Sequence, residues 1–368
     1  MTQDFPPETG GIQTYAGRLA EHIHGLCEHL VVVAPDHPQA LASDGLLPFP
    51  VERIRIHSSW LVLPLCLNLS RILSRHRITH VLYAQWFPAM APSGDARVRA
   101  TLVHGRELLR HPLGRFGLLL APRTYHSMDV ILPNSRATAS LLPRKLDARK
   151  VHVVHPGVDL ARFQPPDDSR RSVLRLRLGI APETPVVTTL ARLVERKGID
   201  TLIRSMPEVS RRHPGTRLLI GGGGPDRNRL EEIVRSEGLE ACTTFCGKIP
   251  DEDLSSFLSL GVFALLSRQS ARDVEGFGMV LAEAQACGAP VVAARSGGMP
   301  EAVGPQAGIV VAPDSPLEAA EAICTYLADP AEAARSGERG IAFARTLSWD
   351  TRAMEIFQAL RQASCGPG

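Results

Sequence analysis

Residues 184–200 read TPVVTTLARLVERKGID. Val186 to Leu190 form a short run that is apolar or β-branched at every position, which predicts a strand buried on both faces. Arg192 closes that strand, and Lys197 stands five residues on, just before Gly198 and a helix-period segment. A strand, a cationic turn and a helix in this order form one unit of a parallel sheet covered by helices. Two cations beside a helix start also suit a diphosphate, which carries more charge than backbone amides balance alone; a solvated charge cluster is the plainer alternative.

The same alternation runs outward in both directions. Ahead of it stand LVVVAP, VERIRI, THVLYA, RATLVHG, DVILP and VHVVHPG; after it come TRLLIGGGG, TTFCGK, VFALLS and APVVAA. Residues 157–185, rich in proline and charge, separate the two series and read as the connection between two Rossmann-like domains. At 368 residues the chain is long enough for two cores. The expected division is 1–160, 161–345 and a terminal segment 346–368, whose helical spacing in SWDTRAMEIFQALRQ lets it pack back across the first domain. Open α/β sheets bind ligands beyond the carboxyl ends of their strands, so the strand-to-helix turns are where site residues are sought.

Five turns qualify. FPPETGGIQTY places Gly10 and Gly11 at a helix start, where free amides suit a phosphate or sugar oxygen, although a tight turn explains a glycine pair equally. ATLVHGRE ends a strand at His104, a candidate hydrogen-bonding group or a surface histidine. LARLVERKG supplies Arg192 and Lys197, and LLIGGGGPDRNRLEEIV a glycine turn that is neither a Walker A loop nor a dinucleotide fingerprint. DVEGFGMVLAEAQACGAP, residues 273–290, sets Glu275 and Glu283 on either side of Gly276, Phe277 and Gly278. Two carboxylates so placed could be paired acid and base catalysts, metal ligands or two unrelated structural groups; with a helix starting near Phe277, Glu283 lies ~6 Å further along it than Met279. PDEDL carries Asp251 and Asp253 at metal-binding spacing, but its place after Pro250 at a helix start predicts capping and dipole compensation. The histidines show no zinc spacing, so no metal is expected.

Composition narrows the class. Between Arg97 and Arg177 there are sixteen Lys or Arg against six Asp or Glu, while residues 1–96 carry six against eight. That basic section suits phosphate, an anionic membrane surface or nucleic acid, or is simply a solvated face. Seven scattered cysteines without paired spacing indicate reduced thiols in a cytosolic protein. No apolar run approaches the roughly 20 residues of a membrane span, and no signal peptide is expected at the N-terminus.

Together these stretches resemble the retaining glycosyltransferases of family 4, which have the α/β GT-B architecture of two facing Rossmann-like domains. The resemblance runs from DFPPETGGIQTY through HPGVD, LARLVERKG and IGGGGP to EGFGMVLAEAQACGAPVVA and GGMPEAV, and it is nearest to the bacterial phosphatidylinositol mannosyltransferase branch. It implies that Arg192 and Lys197 hold the donor diphosphate, that Glu275 faces the transferred sugar and that Glu283 binds the ribose. It implies His104 near the reaction centre, Gly10 and Gly11 beside the donor phosphates, and Lys248 and Ile249 of CGKIP as nucleotide contacts. The amides of Gly276, Phe277, Gly278 and Met279 would face the donor. The activity implied is transfer of a hexose, mannose from GDP-mannose being the best match, to a glycan, glycolipid or lipid-linked acceptor. It needs a nucleotide-sugar co-substrate but no cofactor, metal or nucleic acid, and is placed in the cytoplasm with peripheral contact to an anionic membrane. Transfer from a UDP-sugar to a small molecule, and a non-catalytic nucleotide-sugar-binding protein, are the alternatives; a glycoside hydrolase leaves the cations unexplained. One departure is evident: the family has an apolar strand ahead of DFPP, where this sequence has only Met1, Thr2 and Gln3, so a first strand is expected to be missing.

Overall fold

The computed structural model describes residues 1–2, 4–7, 11–54, 62–85, 88–90, 96–109, 114–271 and 273–364, with the backbone alone at 41, 62–67 and 114–119. It divides into two units, Met1–Gly157 with Trp349–Gly368, and Val158–Ser348. Every strand pairing in both is parallel.

In the first unit β1 (Val32–Pro35) pairs with β2 (Val51–Ile54), and β3 (His80–Tyr83), β4 (Val98–Val103) and β5 (Val130–Pro133) form a second sheet. Met1 and Thr2 lie between the ends of β1 and β3. Thr2 N–H donates to Val33 O at 3.0 Å, Ala84 N–H to Met1 O at 2.7 Å, and the Met1 amine to Leu82 O at 2.7 Å. The terminal helix Trp349–Ser364 packs on this unit, as its spacing implies. Trp349, Ala353, Ile356, Ala359 and Leu360 are buried on one stripe, against the Gly11–His24 helix and behind β4 and β5.

The second unit is one six-stranded sheet in the order β11-β10-β9-β6-β7-β8. Its strands are β6 (Val186–Leu190), β7 (Arg217–Gly221), β8 (Thr243–Gly247), β9 (Val262–Leu265), β10 (Val291–Ala294) and β11 (Gly308–Val311). The chain winds outward from β6 through β7 and β8, then returns to lay β9 on the other side of β6. The order therefore reverses between β6 and β9, and the crevice at their carboxyl ends is where a doubly wound sheet takes its ligand. Val186, Val187, Thr188 and Thr189 are all buried, which accounts for the continuous run in the sequence. The following Ile199–Arg212 helix buries Ile199, Leu202, Ile203, Met206 and Val209 while Arg204, Arg211 and Arg212 face water. Each such apolar side chain contributes roughly 1.5–3 kcal/mol relative to exposure.

Two local readings change. VHVVHPG forms no strand; it runs beside β5, with His152 and Val154 N–H donating to Ile131 O and Pro133 O. Strand β11, GIVV, falls outside the expected series. Within residues 157–185 Asp167 caps the Asp168–Arg177 helix, and Leu174 packs with Ile180, Val186 and Phe257. Cys27, Cys242, Cys246, Cys287 and Cys324 are free thiols. No helix among the described residues is long and apolar enough to cross a membrane.

Candidate active site

At the carboxyl end of β6 the chain turns through Arg192 and a short 3-10 helix, Glu195–Lys197, into Gly198. Gly198 is left-handed, with φ 64°, and a Cβ there would lie 1.9 Å from Leu266 O at the end of β9. Only glycine lets the β6 turn approach the β9 end this closely. The approach brings Lys197 and its neighbour Arg196 onto the loop after β9, which carries Glu275.

Glu275 Oε2 accepts from Lys197 Nζ at 2.6 Å, from Arg196 Nη1 at 2.5 Å and from Ser267 Oγ at 3.4 Å. Arg196 Nε also stands 3.2 Å from Asp273 Oδ2. Burial alone would raise the Glu275 pKa, but the charges and hydrogen bonds of Lys197 and Arg196 outweigh it and bring the pKa down to about 2. The carboxylate is therefore ionised throughout the neutral range, with two cations on one oxygen. Its backbone is fixed as well: Gly298 N–H donates to Glu275 O at 2.9 Å, and Gly297, at φ 53°, would place a Cβ 2.2 Å from the same carbonyl.

The helix expected near Phe277 runs over Met279–Ala286, with left-handed Gly278 as its N-cap. The Phe277 side chain belongs to the core, so this residue offers a ligand little but its main chain. Glu283 sits one turn into the helix, and burial pushes its pKa up to about 7, with Arg162 opposing and Asp159 adding to the rise. Arg192 is exposed and enters none of the ion pairs among the described residues. The glycine turn after β7 supports the Arg192 segment: Leu193 N–H donates to Gly223 O and Asp226 N–H to Leu193 O. Beyond β8, Lys248 is exposed, while the Ile249 side chain is packed in an apolar cluster with Phe257 and Leu260.

In the first unit His104 follows β4. Its Nε2–H donates to Ala84 O at 2.9 Å, its backbone N–H to Glu107 Oε1, and its ring stands edge-on to Tyr15 at 5.2 Å. Because a carbonyl only accepts, Nε2 carries a proton. Gly11 is exposed at the start of its helix, with open space where a Cβ would stand; Gly10 lies outside the described residues. Asp251 and Asp253 lie in the first turn as dipole compensation requires, but neither caps through its side chain, contrary to that part of the expectation. Asp251 pairs instead with Arg162 at 2.9 Å, and Asp253 with Arg177. Among the described residues no group of three or more His, Cys, Asp or Glu could hold a metal.

Three participants escape a reading of the sequence alone: Arg196, Ser267 and Asp273. Adjacent cations in VERKG do not reveal which one turns inward. Asp273 and Glu275, two apart in an extended segment, share a side, and that spacing was the available signal.

Comparison with known proteins fits this geometry. Residues 9–162 match the family model described as Glycosyltransferase Family 4, and residues 171–343 that described as Glycosyl transferases group 1. The GDP-mannose-dependent alpha-(1-6)-phosphatidylinositol monomannoside mannosyltransferase of Mycobacterium tuberculosis is 34% identical, across 98% of this chain and 97% of its own. The Mycolicibacterium smegmatis protein of that name is 35% identical, with the same coverage. The chain belongs to glycosyltransferase family 4. It is a nucleotide-sugar-dependent retaining hexosyltransferase of GT-B fold. Among solved structures, Anabaena Alr3699/HepE in complex with UDP superimposes with a TM-score of 0.82 at 21% identity, over 98% of this chain and 99% of that one. A glycosyltransferase from Rickettsia africae does so at 0.81 and 15%, over 100% and 98%. Both likenesses concern the family's fold.

Proposed function

We propose that this family 4 enzyme transfers mannose from GDP-mannose to a hydroxyl of a phosphatidylinositol-type glycolipid, with retention at the anomeric carbon. The full-length similarity to mannosyltransferases of that specificity supports the donor and acceptor. The observation that carries the chemistry is the Lys197–Glu275–Arg196 cluster at the sheet's reversal point, beside the start of the Met279–Ala286 helix.

In this reading the sugar hydroxyls bind Glu275, the ribose binds Glu283, and the diphosphate lies over Arg192, Lys197 and the amides of Gly276, Phe277, Gly278 and Met279. Lys248 and the main chain of Ile249 meet the base, and Gly10 and Gly11 border the phosphates. As the anomeric bond breaks, charge grows on the leaving diphosphate, and Arg192, Lys197 and the helix start stabilise it without a metal. The departing phosphate takes the acceptor proton on the same face, and His104 orients the sugar. The exposed cations Arg106, Arg123, Arg136, Arg144, Lys145 and Arg149 engage an anionic membrane surface on the cytoplasmic side, where the lipid acceptor resides.

Donor binding tests the specificity. GDP-mannose at about 100 times its Kd is expected to raise Tm by roughly 5–10 °C, well above the rise given by UDP- or ADP-sugars. A larger rise with a UDP-sugar would redirect the donor assignment. The same titration checks Glu283. Its folded pKa of about 7 exceeds its ordinary 4.5. The protein should therefore lose stability as pH rises between those values, while the carboxylate that accepts from ribose hydroxyls becomes available. GDP-mannose affinity is expected to increase between pH 6 and 8, and Glu283→Gln to flatten both trends; an unchanged pH profile in that variant would remove Glu283 from the ribose site.

A further inference from the structure

Three strand-to-helix turns of the second unit are tied to one buried carboxylate. Asp200, the second residue of the Ile199–Arg212 helix, is 4% exposed and lies too deep to touch a ligand. Its Oδ1 accepts from Arg268 Nη2 at 2.6 Å; its Oδ2 accepts from Arg229 Nη1 at 3.3 Å and stands 3.6 Å from Arg204 Nη1. Arg268 comes from the loop after β9, and Arg229 from the Arg227–Ser236 helix that follows the β7 turn. A buried carboxylate needs such partners to offset the water it gives up.

The contacts close into a ring around the cationic turn. On one side Arg268 N–H donates to Arg196 O at 2.8 Å, while the Arg268 guanidinium reaches past Gly198 to Asp200 and to Thr201 Oγ1, 2.9 Å away. On the other side Asp226 N–H donates to Leu193 O at 3.1 Å, and Arg229 grips the Asp226 carboxylate through Nε and Nη2, both at 2.7 Å. Leu193 and Arg196 are thus fixed from two directions through Asp200. Gly198 permits the turn to approach β9, and this ring holds it there. Ser267, directly before Arg268, donates to Glu275 Oε2 at 3.4 Å, and Arg268 Nε stands 2.7 Å from Asp314 Oδ1 beyond β11.

We propose that Asp200 is a positioning residue: through Arg268 and Arg229 it holds the turn at 192–198 against the loop after β9, so that Lys197 stays engaged with Glu275. The inference rests on the assignment of Lys197 and Glu275 to the donor. The ring acts by geometry rather than by net charge, since Asp200, Asp226 and Asp314 balance Arg204, Arg229 and Arg268. Loss of Asp200 leaves the attraction of Lys197 and Arg192 for a diphosphate in place but loosens their aim. A displacement on the order of 1 Å at reacting groups costs about a hundredfold in rate.

The test compares the full chain with Asp200→Asn and with Arg268→Gln, which opens the same ring at a less buried residue. In steady-state transfer from GDP-mannose each variant is expected to lose roughly 30–100-fold in kcat, with KM for the donor changed less than about threefold. In a Lys197→Ala background the same substitutions should cost less than about threefold, because the pair they position is already broken. Amide hydrogen exchange without substrate reads the geometry independently. The Lys197, Gly198 and Arg268 amides, all hydrogen-bonded within or onto the turn, should exchange at least about tenfold faster, while those of the Pro330–Thr346 helix keep their rate. Unchanged exchange at the three amides, or exchange raised alike throughout the unit, would overturn the positioning role whatever the substrate; so would equal losses of kcat with and without Lys197. Transfer that Lys197→Ala leaves unslowed, with local exchange raised as expected, would instead unseat the donor assignment while bearing out the ring.

Discussion

Lys197→Ala is expected to lower kcat for mannosyl transfer by about a thousandfold, with a smaller change in KM. Two losses combine. The leaving diphosphate loses a positioned cation, and removing one such charge-stabilising donor typically costs 10²–10³ in rate. Glu275 also loses its partner at 2.6 Å and keeps Arg196 as the remaining cation on that oxygen, so its pKa climbs from about 2 and the carboxylate proposed to face the sugar is no longer fixed. The measurement is steady-state transfer from GDP-mannose, alongside Glu275→Gln and the double variant. Because the two side chains act as one unit, their effects should fall well short of additive. Near-normal turnover in Lys197→Ala would contradict the assigned role.

Gly198→Ala is expected to cost about 3–5 kcal/mol of stability and to abolish most activity in whatever protein folds. A left-handed alanine costs on the order of 1 kcal/mol, and the added Cβ would stand 1.9 Å from Leu266 O, so backbone must move. Gly238 is the control. It has the same sign of φ, at 66°, and open space within 4 Å of where a Cβ would stand, so Gly238→Ala should lose only about 1 kcal/mol. Thermal unfolding of the two variants separates backbone strain from collision. Equal losses would mean that the close approach of the β6 turn to β9 does not organise the site.

The sheet architecture was legible because burial on both faces leaves its mark along a strand: VVTTL, LLIG, VFAL and VVAA all read as uninterrupted runs. β11 was missed, and burial does not account for it, since β8 at the other edge is half buried at every position and was read. At the site, Glu275, Lys197 and the helix after Phe277 could be placed from glycine spacing and strand ends, since those are local features. Arg196 could not. Its inward turn depends on Asp273 and Glu275, more than seventy residues away, and on the β6–β9 neighbourhood that only topology supplies. Asp251 and Asp253 stand in the first turn after Pro250 as expected, but their place there suggested side-chain caps, whereas Arg162 and Arg177, from a distant loop and helix, take the carboxylates.

The most direct measurement supplies GDP-mannose and phosphatidylinositol monomannoside together, follows GDP release, and determines the mass and anomeric configuration of the lipid product. The account predicts one mannose added in α linkage, one GDP released per transfer, and almost no GDP released without the acceptor. A β-linked product, or GDP release at the same rate with and without acceptor, would contradict it.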